Sequence, residues 1–76
     1  MRKPVKHSPA DAKRLGVAIR ERRARKNLSS SELAAAADLD RTFIWRLEQG
    51  DCEPSLSTLR RIADVLGVKV TTLLDA

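Results

Sequence analysis

Five side chains in one nine-residue stretch have the chemistry to read a nucleic acid. In RTFIWRLEQ, residues 41–49, Arg41, Thr42, Trp45, Arg46 and Gln49 fall within an arc of roughly 140° when projected as a helix at about 100° per residue. Ile44 and Leu47 take the opposite side, with Phe43 and Glu48 at the flanks. The paired N–H donors of arginine match O6 and N7 of guanine, a contact that discriminates between bases by roughly 1–3 kcal/mol. Thr42 can offer a methyl to thymine or a hydroxyl to a phosphate. Trp45 either presses against a sugar–phosphate strand or a thymine methyl, or covers a groove between helices. Gln49, near the helix end, is a candidate phosphate contact, and Phe43 a partial core residue that also touches backbone. A helix buried along one stripe, with arginines and amides on the other, is suited to the DNA major groove.

The neighbouring segments must hold that helix in place. Ser29 or Ser30 caps a preceding helix with Glu32 in its first turn, and Leu33, Ala34 and Ala37 form its inward face. Ser29, Ser30 and Ser31 lie at its amino end, where they either cap or hold a phosphate. Asp38-Leu39-Asp40 is the turn between the two helices: Asp38 tolerates a positive φ, Leu39 plugs the junction, and Asp40 caps the next helix. Upstream, Ser8-Pro9-Ala10-Asp11 starts a first helix that runs to about Lys26, with Ala12, Leu15, Ala18 and Ile19 as its apolar stripe. Arg22 and Arg23 continue that side. An arginine ending an apolar stripe needs a partner if it is buried, and Glu48 is the expected bidentate partner of Arg23, a structural ion pair. Downstream, Gly50 ends the helix and Asp51-Cys52-Glu53-Pro54 makes a loop. Ser55 caps a fourth helix whose Leu56, Leu59, Ile62, Ala63 and Leu66 form one stripe. Gly67 stops it. Val70 to Leu74 can pack as a fifth turn, and the apolar residues at this end, Val68, Val70, Leu73 and Leu74, exceed what a terminal segment needs for docking, which assigns them partly to a homodimer interface.

Composition agrees with an all-α domain of about five short helices. The chain has 76 residues, three glycines and no tyrosine, and its apolar content is mainly Ala, Leu, Val and Ile. Residues 1–8 read as a flexible basic arm and 9–76 as a single domain. The net charge of +5 is uneven: residues 1–28 hold ten Lys and Arg against two acids, whereas residues 29–76 hold five against eight. A basic first third calls for an anionic partner. No run approaches a membrane span. One Cys and one His leave no basis for a disulfide or a Cys/His metal site, so neither metal nor cofactor is expected, a reducing cytoplasm is the expected location, and Cys52 is taken as an exposed loop thiol. Nor is there a nucleophile–base pair or phosphate loop to suggest an enzyme.

In order along the chain, Leu15-x3-Ile19-Arg20-x2-Arg23, Leu28-Ser29, Glu32-Leu33-Ala34, Ile44-x-Arg46-Leu47-Glu48-x-Gly50, Pro54-Ser55-Leu56-x2-Leu59 and Ile62-Ala63-x2-Leu66-Gly67-Val68 resemble the Cro/phage-repressor (XRE) type of helix-turn-helix regulator. The resemblance covers roughly residues 13–74, with 30–49 as the helix-turn-helix core. Leu39 to Ile44 is also similar to the small controller proteins of restriction–modification systems. The chain departs from the family at Ser30, Asp38 and Trp45, where relatives usually carry Gln, Gly and a small or polar residue. The resemblance implies a phage-repressor-like fold, base-edge contact by Arg41, and contact of Arg46 with bases or phosphate. It further implies a homodimer on a palindromic double-stranded operator. An antitoxin-like subunit that binds another protein would share the fold and the basic surface.

Overall fold

The computed structural model describes residues 9–76; the basic arm of residues 1–8 and the Ser8 cap lie outside them. Five helices follow one another: α1 (Pro9–Arg25), α2 (Ser30–Ala36), α3 (Arg41–Gln49), α4 (Leu56–Leu66) and α5 (Val70–Leu74). Among the described residues there is no strand, and no helix is long and apolar enough to cross a membrane.

The helices are this short because four of them end in the same way. Asn27, Asp38, Gly50 and Gly67 each take a positive φ, of 57°, 58°, 80° and 71°. After each, the amide of the next residue bonds a carbonyl five positions back: Leu28 to Arg23, Leu39 to Ala34, Asp51 to Arg46 and Val68 to Ala63. This left-handed stop satisfies terminal carbonyls and turns the chain inward. Leu28, Leu39 and Val68, half-buried, follow three of the four stops. The starts are equally local. Ser29, Asp40 and Ser55 accept from the amides of Glu32, Thr42 and Thr58, and Glu32 returns the bond to the Ser29 amide at 2.7 Å, which closes a capping box.

The core draws on all five helices. Ile19, Leu33, Ile44, Leu47, Ile62 and Leu73 are its largest fully buried side chains. α3 packs most extensively against α1 and then α2, while α4 lies against α2 and α5. Two features clamp α1 to α3. Gly16, mid-helix, approaches so closely that a Cβ there would sit 2.5 Å from the Leu47 carbonyl oxygen and 2.7 Å from that of Glu48. About two turns later, Arg23 donates from Nε to Glu48 Oε2 at 2.7 Å and from Nη2 to Oε1 at 3.0 Å, and its Nη1 reaches the Leu28 carbonyl at 2.9 Å. The Glu48 side chain is only 4% exposed, so this is a charge-assisted pair largely withdrawn from water. Its hydrogen bond to Glu48 holds the Arg23 pKa above its ordinary value, against the lowering effect of burial.

Three expectations require correction. Leu56, counted in the α4 stripe, is 58% exposed, because it opens the helix one turn before the core takes hold at Leu59. Leu73, assigned to a subunit interface, is buried in the core of its own chain as α5 packs onto α1 and α4. It has no surface to offer a second copy. Cys52 is half-buried against the core rather than exposed, and desolvation pushes its thiol pKa up, opposed by nearby Arg46 and aided by Asp51.

Candidate nucleic-acid interface

α3 divides cleanly between core and solvent. Ile44, Leu47 and Glu48 are buried; Arg41, Thr42, Trp45, Arg46 and Gln49 are exposed; Phe43 is half-buried against the core. The division follows from the spacing of apolar residues, since only one stripe of α3 meets α1 and α2. Among the described residues, nothing buries the other face.

Arg41, Thr42 and Trp45 converge with Ser29, Ser30 and Ser31 around one open cleft of about 540 Å³. The turn places these two groups opposite each other. Asp38 adopts its left-handed conformation, Leu39 packs on the core, and Asp40 accepts the Thr42 amide at 2.9 Å, so the first turn of α3 begins beside the start of α2. A longer-range bond supports the turn: Arg61 Nη2, on α4, donates to the Asp38 carbonyl at 3.0 Å. Trp45 is 56% exposed, an unusual position for the chain's one indole. Ser29 differs from its neighbours because its hydroxyl is engaged by the Glu32 amide. Arg46 and Gln49 share the exposed face but lie beyond the residues that line the cleft.

The charge of the site is uncompensated. Among the described residues, neither Arg41 nor Arg46 is paired with a carboxylate, in contrast to Arg14 with Asp11 and Arg23 with Glu48. Two exposed guanidiniums beside hydroxyls and an open apolar ring form a surface for a polyanion that also presents flat or methyl-bearing groups. Among the described residues, no cluster of three or more His, Cys, Asp or Glu could hold a metal ion.

The family described as "Helix-turn-helix domain" matches residues 14–76. The chain belongs to the Cro/phage-repressor type of helix-turn-helix regulator. A helix-turn-helix relative from Bacillus phage phi105, the ImmF control region 10 kDa protein, is 36% identical over 63 residues, covering 83% of this chain and 70% of that one. The restriction–modification controller protein C.AhdI from Aeromonas hydrophila superposes with a TM-score of 0.82 at 33% identity, covering 84% of this chain and 97% of the other. SinR, a master regulator for biofilm formation solved in complex with DNA, superposes with a TM-score of 0.78 at 35% identity, over 80% and 98% of the two chains. The all-helical fold is shared with the controller protein and with SinR, and regulators of this kind are a non-enzymatic class.

Two residues that position the interface, Gly16 and Arg61, were not singled out from sequence, and the burial of Cys52 was not foreseen. Gly16 left a signal, an isolated glycine inside a helical pattern, which usually marks close packing. Arg61 left none, because its partner is a backbone carbonyl 23 positions away. For Cys52, nothing in its loop of charged residues and proline announced that the thiol turns inward.

Proposed function

We propose that the chain is a sequence-specific regulator of transcription that acts in the cytoplasm as a homodimer on a palindromic operator, with α3 in the major groove of each half-site. The observation that carries this reading is the two-sidedness of α3. Its apolar stripe is consumed by the core, while Arg41, Thr42, Trp45 and Arg46 face solvent, the two arginines without a carboxylate partner among the described residues. In this pose Arg41, at the amino end of the recognition helix, faces a guanine edge, as N-terminal residues of such helices do. Thr42 meets a base methyl or phosphate. Ser30 and Ser31, across the cleft, face the strand, and Arg46, Gln49 and the flank of Phe43 lie along backbone. The dimer would use Leu74, 54% exposed, with the half-buried Val68 and Val70. Half-sites would then be spaced by about one DNA turn, roughly 34 Å.

Selection from a random duplex pool, followed by gel shifts, tests the pose. The Arg41→Ala variant should bind the selected operator at least tenfold more weakly and lose preference at one base pair per half-site, about 1–3 kcal/mol of discrimination. Unchanged affinity and preference would remove α3 from the groove. Sedimentation of the free protein and of its operator complex tests the dimer, and a monomer in both would refute it.

A further inference from the structure

Resting on that placement of α3, we propose that Trp45 is a specificity-determining residue that reads the C5 methyl group of a pyrimidine beside the guanine faced by Arg41.

Three observations lead there. Trp45 is 56% exposed, so more than half of its surface is left uncovered by the described residues. It lines the same cleft as Arg41 and Thr42, whereas Arg46 does not. In projection it lies roughly 40° from Arg41, inside the exposed arc, with Thr42 at about 100° and Arg46 at the edge near 140°. Arg41, Thr42 and Trp45 stand together in the amino-terminal half of α3, the part of a recognition helix that reaches base edges, and the cleft they share leaves Arg46 outside. The floor of the major groove is a lattice of hydrogen-bond donors and acceptors, and the C5 methyl of thymine is its apolar group. An indole held over that floor gains by covering a methyl and loses by covering a polar edge without pairing it. Trp45 stands one turn after Arg41, roughly 6 Å along the helix axis, so the methyl belongs one or two base pairs from the guanine.

The same chemistry is available from thymine and from 5-methylcytosine, and two arms of one experiment separate them. With the operator defined by selection, each thymine is replaced in turn by deoxyuridine, which lacks only the methyl, and each cytosine by 5-methylcytosine. At one position per half-site, adjacent to the Arg41-dependent guanine, deoxyuridine should weaken binding of the unaltered protein about fourfold, the worth of one buried methyl. Trp45→Ala should reduce that effect to less than about 1.5-fold, and Trp45→Phe should retain part of it. If the position is a cytosine, its methylation should strengthen binding by a similar factor, again only when Trp45 is present. Equal losses with deoxyuridine in both proteins would overturn the inference. So would a uniform loss in Trp45→Ala with no sensitive position, which would put the ring against a strand. In both cases an intact dependence on Arg41 would leave the recognition-helix reading standing. A selection that yields no motif would overturn that reading, and the inference with it.

Discussion

Arg23 and Glu48 show how much a single residue pair decides in a chain this short. With Glu48 only 4% exposed and bonded through both oxygens, truncating Arg23 strands a buried carboxylate and also removes the donor to the Leu28 carbonyl. Breaking such a pair from one side costs roughly 3–5 kcal/mol. A domain of this size holds only about 5–15 kcal/mol in all. Arg23→Ala should therefore lower the urea midpoint sharply, yet leave the base preference of whatever fraction remains folded unchanged. Arg23→Lys, which keeps the charge but not the fork, should fall between. The partnership was legible in sequence because an arginine closing an apolar stripe demands a carboxylate, and Glu48 flanks the apolar stripe of α3, the helix that packs most extensively against α1. Cys52 was not legible, since its burial depends on how the loop after Gly50 folds back. Its raised pKa means less thiolate in the folded protein than in the unfolded chain at the same pH. Iodoacetamide at mildly alkaline pH should consequently label the native protein several-fold more slowly than the protein in denaturant. Equal rates would place the thiol in open water.

At the scale of the element, starts and stops were readable and contacts between helices were not. A cap or a left-handed stop involves residues within five positions of each other, so Asp40 and Ser55, and the turns at Asp38, Gly50 and Gly67, could be placed from local chemistry, and the cap of α2 narrowed to Ser29 or Ser30. Leu56 and Leu73 show the converse. Both lie in apolar patterns, but whether a patterned residue reaches the core or the surface depends on where the neighbouring helices end. Gly16 is the sharpest case of a tertiary constraint. Alanine would gain roughly 1 kcal/mol of helix propensity, but its Cβ would meet the Leu47 carbonyl at 2.5 Å, a backbone atom that cannot rotate away. Overpacking of this kind costs about 1–3 kcal/mol. Gly16→Ala should lower thermal stability despite the better helix former, and weaken operator binding too, because the relief must come from moving the end of α3. An increase in the melting temperature would show that α1 and α3 are not in such close contact.

For the whole molecule, charge and shape divide the work. The excess of positive charge lies in residues 1–28, while the residues that face the cleft come from Ser29 onward. On the proposed reading, attraction to a duplex would come mainly from the first third of the chain, and discrimination from one helix. The logarithm of affinity should fall linearly with the logarithm of salt concentration, by about 0.9 for each phosphate neutralised. Arg46 lies outside the cleft, and on the proposed reading it meets a strand. Arg46→Ala should reduce the slope by about one and weaken all sequences alike, and a change in base preference instead would move Arg46 onto the bases. The outward arc was legible before any fold was known, because helical periodicity alone separates Arg41, Thr42, Trp45, Arg46 and Gln49 from Ile44 and Leu47. That Arg41, Thr42 and Trp45 share a cleft with Ser29–Ser31 needed the turn in three dimensions.

Both ends of α3 are fastened: the first by the Asp40 cap and by Arg61 on the Asp38 carbonyl, the last by Gly16 and Arg23 of α1. A helix held this way behaves as a stiff die, with its tilt fixed before any duplex arrives. In the proposed complex the compliant member would then be the DNA. Bending a site of 20–30 base pairs by 40–90° costs of order 1–6 kcal/mol, and that elastic cost varies with the stacking of each step. Base pairs between two half-sites, touched by no side chain, would therefore be sorted by their stiffness, with pyrimidine–purine steps favoured wherever the duplex must yield.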